Sequence, residues 1–470
     1  MYTSNNDTIC AIATAPGKGA LSIIRISGKE TYPVIDSIFR SKKNKNLINE
    51  KGYTLLFGSI FNEDKLIDEV LLSLFKAPLS YTGEDLIEIS CHASPFIQQE
   101  VIKLLLHKGV RLAKPGEFTL RAYMNGRMDL SQAEAVSDLI ASTSASAHQL
   151  ALSQMRGGYA NELKELRNKL LHFHAMLELE LDFAEEEVEF ADRTLMKTYC
   201  SDVQYRLVRL VGSFAWGNAV KHGIQVAIVG EPNVGKSTLL NALLNEDKAI
   251  VSDIPGTTRD VIEDVVQIDG YGFRFIDTAG IRNTSDTIEK LGIKKTFEKI
   301  EQAAIVLLLV EVSFSIQKIK ADITQIKNKI GNTKPLFILV NKIDNLKTIE
   351  PENRFNTEQF PQLHEQDKFI FISARENKNI DILKNTLVEQ VACVELNESH
   401  AVVTNARHHE ALSHAKEAIE RVNQGLESNL SNDLLALELR QVLHYVGEIT
   451  GTISNDEMLG HIFKNFCIGK

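Results

Sequence analysis

The sequence predicts a multidomain α/β + α fold, with an N-terminal α+β domain, a helical domain, and an α/β domain with a mostly parallel sheet inserted into the helical one. The 470 residues suffice for about three domains. The apolar pattern changes from short strand-like runs to helical spacing, then to strands alternating with helices, and finally back to helical spacing. The predicted boundaries are 1–120, 121–216, 217–395 and 396–470.

Individual elements follow from local patterns. In the N-terminal domain, apolar runs bounded by Gly/Pro turns predict strands at 20–26, 66–75 and 86–90. Ser131 and Glu134 have the spacing of a capping box that begins a helical layer. Strands are predicted next at 224–229, 273–276, 305–312, 336–340 and 369–372, with a helix at 238–244. Helical spacing returns through 434–443, which makes the α/β domain an insertion.

Composition predicts a cytoplasmic protein without a membrane segment. The longest uninterrupted apolar run, 303–310, is far shorter than the ~20 residues that span a bilayer. The first residues show neither the basic nor the apolar region of a signal peptide. Five cysteines without a C-x-x-C pair argue against a disulfide framework or a thiolate zinc site. Because the net charge is -10, contact with nucleic acid requires a local basic patch.

A phosphate-binding loop is predicted at 230–237. Its sequence, Gly230-Glu231-Pro232-Asn233-Val234-Gly235-Lys236-Ser237, fits G-x-x-x-x-G-K-[ST], follows a predicted strand and opens a helix, as this motif requires. The glycines let backbone N–H groups surround phosphates, Lys236 reaches the β- and γ-phosphates, and the Ser237 hydroxyl binds Mg²⁺. The predicted contacts of this loop are Asn233, Val234, Gly235, Lys236, Ser237 and Thr238.

Further motifs at strand ends predict that the nucleotide is GTP. Asp277-Thr278-Ala279-Gly280 places a carboxylate on the metal side of the phosphates and a small turn at the γ-phosphate. In Asn341-Lys342-Ile343-Asp344, the Asp344 carboxylate can accept from N1–H and the 2-amino group of guanine, a donor pair that adenine lacks. Ser373 and Ala374 would close the base pocket with backbone groups, and Arg375 completes this set of contacts.

The loop between these motifs contains the predicted switch. In Asp253-Ile254-Pro255-Gly256-Thr257-Thr258-Arg259-Asp260, two threonines lie where such enzymes keep a switch threonine, and Thr258 is assigned to Mg²⁺ and the γ-phosphate. The predicted nucleotide contacts here are Ser252, Asp253, Ile254, Pro255, Gly256, Thr257 and Thr258.

The hydrolytic groups are less evident. Ile281 follows Gly280, so the glutamine that usually orients the attacking water is absent from that place. Glu289 could supply a carboxylate that acts through a bridging water, or it could be a solvated helix glutamate. No arginine finger is evident, and the Asn233 side chain could hold a monovalent cation at the same charge-stabilising place.

Nearly the whole chain resembles the MnmE (TrmE) family, bacterial GTPases of tRNA wobble-uridine modification. The resemblance rests on Asp7-Thr8-Ile9-Cys10-Ala11 with Arg25-Ile26-Ser27-Gly28, on Ser80-Tyr81-Thr82-Gly83-Glu84-Asp85, on Pro115-Gly116-Glu117-Phe118, on Gly256-Thr257-Thr258-Arg259-Asp260, and on the terminal Phe466-Cys467-Ile468-Gly469-Lys470.

The resemblance implies cofactors and partners. The N-terminal domain is similar to folate-binding aminomethyltransferase domains; it would form a homodimer and take 5-formyltetrahydrofolate as one-carbon donor. The folate contacts carried over are Arg25, Glu88, Arg127 and Lys470. In the inserted Ras-like P-loop GTPase domain, K⁺ would be held by Asn233, Ser252, Ile254 and Thr257 and would order the switch loop when two such domains meet. Glu289 would then be a general base or water-orienting residue.

The implied partners are tRNA and an MnmG-like protein that carries FAD and forms a heterotetramer with the chain. Together they would install an aminomethyl or carboxymethylaminomethyl group on C5 of U34 in certain tRNAs. Cys467 could attack C6 of uridine, or it could line the folate pocket beside Lys470. The alternative function is a regulatory GTPase of the ribosome-assembly type, which usually carries an RNA-binding module after its GTPase domain. The C-terminal segment has no KH-like G-x-x-G loop, so the sequence favours modification.

Overall fold

The structure, a computed structural model, describes residues 7–42, 45–182, 193–245, 265–277, 300, 303–331, 334–345, 355, 359–397, 401–453, 456–464, 466 and 469. The chain divides into two compact units. The first unit comprises Met1–Ala141, Leu152–Leu207 and Glu410–Lys470. The second comprises Ser142–Ala151 and Val208–His409.

A seven-stranded sheet organises the first unit. Its strands are β1 (Ile9–Ile12), β2 (Leu21–Ser27), β3 (Phe39–Ser41), β4 (Thr54–Asn62), β5 (Lys65–Phe75), β6 (Leu86–His92) and β7 (Arg111–Leu112). They lie in the order β3-β4-β5-β6-β2-β1-β7, and all neighbours are antiparallel except β1 and β7. The three strands predicted in this region are confirmed.

Side-chain alternation gives this sheet two different faces. Alternate residues such as Ile24, Leu72 and Ile89 are fully buried in one core, which also includes residues of α1 (Thr31–Asp36) and α2 (Pro95–His107). The opposite face carries Arg25 and Glu88, which are direct partners in the β2–β6 register. The pleat therefore places two charged residues beside each other on the face away from this core.

The other helices are α3 (Glu117–Met124), α4 (Leu130–Ala141), α5 (Ala145–Met155), α6 (Gly158–Asp182), α7 (Arg193–His222), α8 (Lys236–Asn245), α9 (Ile316–Ile330), α10 (Ile380–Asn397), α11 (Ala406–Glu427), α12 (Asn432–Thr450) and α13 (Asp456–Lys464). The sequence predicts helical spacing through five leucines of α6, of which Leu163, Leu166, Leu170 and Leu177 are buried and Leu181 is exposed. Helix α12 packs against α6. No helix in the described parts of the chain is long and apolar enough to cross a membrane.

The capping box predicted from Ser131 and Glu134 is wrong. Asp129 is the residue before α4, and its Oδ1 accepts from the backbone N–H of Gln132 at 2.9 Å. The Gln132 side chain returns a bond, since its Oε1 accepts from the Asp129 N–H at 2.9 Å. Ser131 lies already inside the helix and donates its hydroxyl to Asp129 at 2.7 Å. The reciprocal pair therefore begins two residues earlier than predicted, because Asp129 occupies the N-cap position.

A six-stranded sheet organises the second unit. Its strands are β8 (Ile224–Val229), β9 (Val265–Ile268), β10 (Tyr271–Asp277), β11 (Ile305–Glu311), β12 (Leu336–Asn341) and β13 (Lys368–Phe371), in the order β13-β12-β11-β8-β10-β9. All neighbours are parallel except β9 and β10. The mostly parallel sheet and its five predicted strands are confirmed, and the predicted helix 238–244 lies within α8.

Both faces of this sheet are covered, as expected for parallel strands. One core includes Leu239 of α8 and Leu383 of α10, and the other includes Ile319 of α9. Because the strands run parallel, their carboxyl ends meet at one edge of the sheet. The residues that follow β8, β12 and β13, together with Asp277 at the end of β10, belong to the predicted nucleotide motifs, so the topology gathers them at that edge.

Candidate functional site

The phosphate loop joins β8 to α8 in a conformation that depends on its glycines. Gly230 and Gly235 have φ angles of 153° and 105°, in the region that favours glycine. A Cβ at Gly230 would collide with the Leu309 carbonyl oxygen, and one at Gly235 with the Asn341 amide nitrogen. Lys236 is buried, and its ammonium donates to the Gly230 and Glu231 carbonyl oxygens at 2.7 Å each. The loop therefore curls around a cationic group at the N-terminus of α8, a geometry that fits phosphate.

Asn341 connects the base motif to both neighbouring loops. Its amide nitrogen donates to the Val234 carbonyl oxygen at 2.8 Å, and its oxygen accepts from the Ala374 N–H at 3.0 Å. The Ser373 hydroxyl donates to Asp344 Oδ1 at 2.6 Å. Five predicted nucleotide contacts thus belong to one hydrogen-bonded set that draws on three separate motifs.

Lys342 and Glu311 form an ion pair beside this set. The Lys342 ammonium lies 2.7 Å from Glu311 Oε2, while Glu311 Oε1 accepts from the Ser313 hydroxyl at 2.9 Å. The hydrogen bonds from Lys342 and Ser313 lower the pKa of Glu311. Sequence reasoning missed Glu311 because it belongs to no motif. Its place at the carboxyl end of β11, opposite Asn341 in the register, was the available signal.

The remaining nucleotide predictions are only partly described. Asp277 ends β10 beside Ile228 of β8, which places its backbone next to the start of the phosphate loop. Ser237, Thr238, Ile343 and Arg375 lie in or next to the described motifs. The predictions for Ser252, Asp253, Ile254, Pro255, Gly256, Thr257, Thr258, Thr278, Ala279, Gly280 and Glu289 fall outside the described residues.

In the first unit, Arg25 is the centre of a second candidate site. Its Nε and Nη2 atoms lie 2.9 and 2.8 Å from Glu88 Oε1. Its Nη1 donates to the Gly469 carbonyl oxygen at 3.1 Å. The guanidinium lies over the rings of Tyr81 and Phe118, at 5.3 and 5.6 Å from their centroids. The predicted folate contacts Arg25 and Glu88 therefore lie together. Gly469, the neighbour of the predicted contact Lys470, also contacts Arg25.

Tyr81, Phe118 and the Gly469 carbonyl were not predicted as site residues, although each lies in a segment that carries the family resemblance. Arg127 lies near the loop containing Tyr81: a Cβ at Gly83 would be 3.3 Å from Arg127 Cγ. Cys467 and Lys470 fall outside the described residues.

A charge cluster, defined as Asp7, Glu84, Arg111, Glu117 and Arg121, lies in the same unit, with Glu117 and Arg121 buried at its centre. Glu117 accepts from both arginines, at 2.6 Å from Arg111 and 3.2 Å from Arg121. Arg121 also contacts Asp7 at 2.6 Å and Glu84 at 3.2 Å. The side chains of Arg121 and Glu117 are only 5% and 7% exposed, so these ions depend on each other for charge compensation.

The described residues contain no group of three or more His, Cys, Asp or Glu side chains able to hold a metal ion. A parallel sheet with a G-x-x-x-x-G-K-S loop and an Asn-Lys-x-Asp motif at its carboxyl edge defines a P-loop GTPase.

Comparisons with known proteins give the family. The model described as MnmE helical domain matches residues 130–467, and the model described as GTP-binding protein TrmE N-terminus matches residues 8–127. The tRNA modification GTPase MnmE of Christiangramia forsetii is 53% identical over 472 aligned residues, covering 99% of each chain. That of Flavobacterium johnsoniae is 54% identical over 469 residues, covering 99% of this chain and 100% of its own. The chain therefore belongs to the MnmE family and is a GTPase.

Likeness to solved structures is weak. Era of Aquifex aeolicus bound to GDP.AlF4- covers 41% of this chain and 66% of its own, at 27% identity and a TM-score of 0.28, which carries no argument about function.

Proposed function

We propose that this GTPase modifies tRNA together with an FAD-carrying MnmG-like partner, forming 5-(carboxymethyl)aminomethyluridine at wobble position 34 with a one-carbon unit from 5-formyltetrahydrofolate. The observation that carries the proposal is the Arg25 site, because a regulatory GTPase switch has no need for a second ligand site of this kind. The names of the relatives, which are tRNA modification GTPases, support the same conclusion.

The Arg25 site has the chemistry to hold a folate. Glu88 uses Oε1 for both contacts with Arg25, and within the described residues no bond to its Oε2 is recorded, so this oxygen can accept from ring N–H groups of a pterin. Tyr81 and Phe118 supply aromatic surface for a flat ring. The cation of Arg127 would pair with a folate carboxylate, and Lys470 would complete the contacts.

In the nucleotide site, Lys236 and the phosphate-loop N–H groups would hold the phosphates, with Mg²⁺ on Ser237, Thr258 and the phosphates. The Mg²⁺ would neutralise charge that develops on the phosphate oxygens. Asp344 would read guanine. K⁺ on Asn233, Ser252, Ile254 and Thr257 would replace the charge of an arginine finger when two GTPase domains meet in a homodimer. Glu289 would then orient the attacking water.

The phosphate loop supports one part of the cation proposal. Asn233 has a φ of 64°, in the left-handed region that few non-glycine residues adopt. Such a conformation persists only where the surrounding structure fixes it, and it is common at ligand-binding positions. The Asn233 side chain is exposed, so it is accessible to a bound cation.

The decisive experiment is mass spectrometry of nucleosides from tRNA of a host that lacks this gene, complemented with wild type or variants. We expect C5-aminomethyl-type uridines to be lost on deletion and restored by wild type. Lys236→Ala should fail to restore them, since it removes phosphate binding, and Glu88→Gln should restore them only in part, since it weakens the Arg25 site. Cys467→Ser distinguishes a thiol that attacks uridine, which serine would not replace, from one that lines a pocket.

A matched control is Glu100→Gln, which removes a partly exposed carboxylate that pairs with Lys103 at 3.1 Å on α2 of the same unit. It should restore the modified uridines fully. An unchanged nucleoside profile on deletion would overturn the proposal, and altered ribosomal subunit profiles in the same strain would favour a ribosome-assembly GTPase instead.

A further inference from the structure

Each polar side chain of the base motif is held by a bond to a partner outside the motif, which we call its anchor. Asn341 is held by Val234 and Ala374, and Asp344 is held by the Ser373 hydroxyl. These anchors belong to the phosphate loop and to the segment after β13, which are themselves nucleotide motifs. Lys342 differs, because its partner Glu311 lies on β11, in a strand that contributes to no predicted nucleotide contact.

The sheet itself determines the position of Glu311. In the parallel register of β11 and β12, Glu311 lies opposite Asn341, so its side chain emerges at the edge where the base motif begins. Its two oxygens have separate partners, Lys342 at 2.7 Å and the Ser313 hydroxyl at 2.9 Å. The second bond fixes the carboxylate and orients the first oxygen toward the lysine. Glu311 is thus held in place independently of Lys342.

Lys342 needs such a partner. Its φ of 64° puts it in the left-handed region, so its side chain leaves the backbone in an unusual direction. Asp344 lies two residues along the chain, and its carboxylate must remain available for the donor pair of guanine. An unanchored ammonium would have that carboxylate as its nearest alternative partner in the motif, and pairing there would compete with the base.

We propose that Glu311 is a positioning residue for guanine nucleotides, which keeps the Lys342 ammonium away from Asp344 and the Lys342 stem beside the base. The charge of Glu311 matters as well as its shape, and hydrogen bonds from Lys342 and Ser313 favour the charged form by lowering its pKa. The inference concerns the GTPase site only, so its failure would leave the proposed tRNA modification untouched.

The test is a double-mutant cycle on nucleotide binding by the full chain. Glu311→Gln keeps the size of the side chain and removes its charge. We expect the dissociation constant for fluorescent N-methylanthraniloyl-GDP to rise about two- to fivefold, the range for a partly exposed ion pair. The KM for GTP should rise by a similar factor while kcat is unchanged, since the pair acts on binding and not on the transition state.

Coupling to Lys342 separates positioning from a general structural effect. In a Lys342→Met background, Glu311→Gln should have no further effect on the dissociation constant, because the group it positions is gone. Ser313→Ala should act in the same direction as Glu311→Gln but more weakly, and it provides a second variant if Glu311→Gln does not fold.

Glu389→Gln is the matched control. Glu389 also pairs with a lysine of the same sheet, Lys368 of β13, at 3.2 Å, and within the described parts of the chain it makes no bond to a nucleotide motif. The dissociation constant of the Glu389→Gln variant for N-methylanthraniloyl-GDP should equal that of wild type. Three results would overturn the proposal: wild-type binding in Glu311→Gln, additive effects of Glu311→Gln and Lys342→Met, or a fall in kcat at unchanged KM.

Discussion

In the nucleotide site, neutral side-chain hydrogen bonds to backbone atoms join loops at the ends of strands. In the first unit, the charged Arg25 side chain joins a carboxylate of the neighbouring strand to a backbone carbonyl of residue 469. Asn341 contacts the Val234 carbonyl oxygen and the Ala374 N–H. Arg25 instead contacts Glu88 and Gly469, which are 63 and 444 positions away. The first arrangement depends on loop conformation and tolerates few changes of backbone. The second depends on the pairing of charges and should be sensitive to their removal.

The largest effect should come from breaking the charge cluster of the first unit. Glu117→Gln removes a carboxylate that both Arg111 and Arg121 contact, but Asp7 still pairs with both arginines. We therefore expect a loss near the lower end of the about 3–5 kcal/mol that removing one partner of a buried ion pair costs. We expect a lower midpoint of chemical denaturation for the first unit, measured by circular dichroism on the full chain. Glu69→Gln, which removes the exposed partner of Lys42 in the same unit, should change the free energy of unfolding by less than about 1 kcal/mol.

The same cluster should make stability depend on pH. Burial would raise the pKa of Glu117, but hydrogen bonds from Arg111 and the Lys114 N–H, with the charges of both arginines, lower it. Since the folded pKa lies below the unfolded value of ~4.3, the stabilisation is complete above that value and is lost as the pH falls through the folded pKa. The free energy of unfolding should therefore fall more between pH ~6 and pH ~3 for wild type than for Glu117→Gln. Equal losses would contradict this role for Glu117.

In the nucleotide site, the largest fall in activity should come from a substitution that disturbs the backbone. Gly235→Ala adds a Cβ that collides with the Asn341 amide at a φ of 105°, so it should disturb the phosphate loop and the base motif together. We expect kcat/KM for GTP to fall about a hundredfold, equivalent to ~3 kcal/mol, which is the upper range for local backbone strain. Gly331→Ala is the control, because Gly331 also has a positive φ, 61°, but has open space around it. It should affect stability only.

This contrast also explains what the sequence could predict. The nucleotide motifs are short runs at strand ends, where a fixed spacing of glycine, lysine and aspartate has a local physical reason, and the structure brings the described ones together. No local spacing relates Arg25 to Gly469, and only the family resemblance connected the two ends of the chain. Glu311 was missed since its role depends on strand register, and Asp129 was missed because Ser131 offered a similar capping pattern two residues later.

The two sites should be separable by a single substitution. Glu88→Gln removes the charge that pairs with Arg25, so we expect binding of 5-formyltetrahydrofolate to weaken about tenfold by isothermal titration calorimetry. The dissociation constant for GDP should not change, because every predicted nucleotide contact lies in the other unit. A shift of both constants would show that the two sites are not independent, and a shift of neither would remove Glu88 from the folate site.

The smallest effect should come from a single hydroxyl at the base pocket. The Ser373 hydroxyl donates to Asp344 Oδ1 at 2.6 Å, and a hydrogen bond to a charged group contributes about 1.5–3 kcal/mol in full, but solvent at this partly exposed pocket can replace part of it. We therefore expect Ser373→Ala to raise the dissociation constant for GDP about threefold to fivefold. The rise in the dissociation constant should be smaller for inosine diphosphate, since its base lacks the 2-amino group that Asp344 would otherwise bind. An equal loss for both nucleotides would mean that the hydroxyl supports the loop and does not orient the carboxylate.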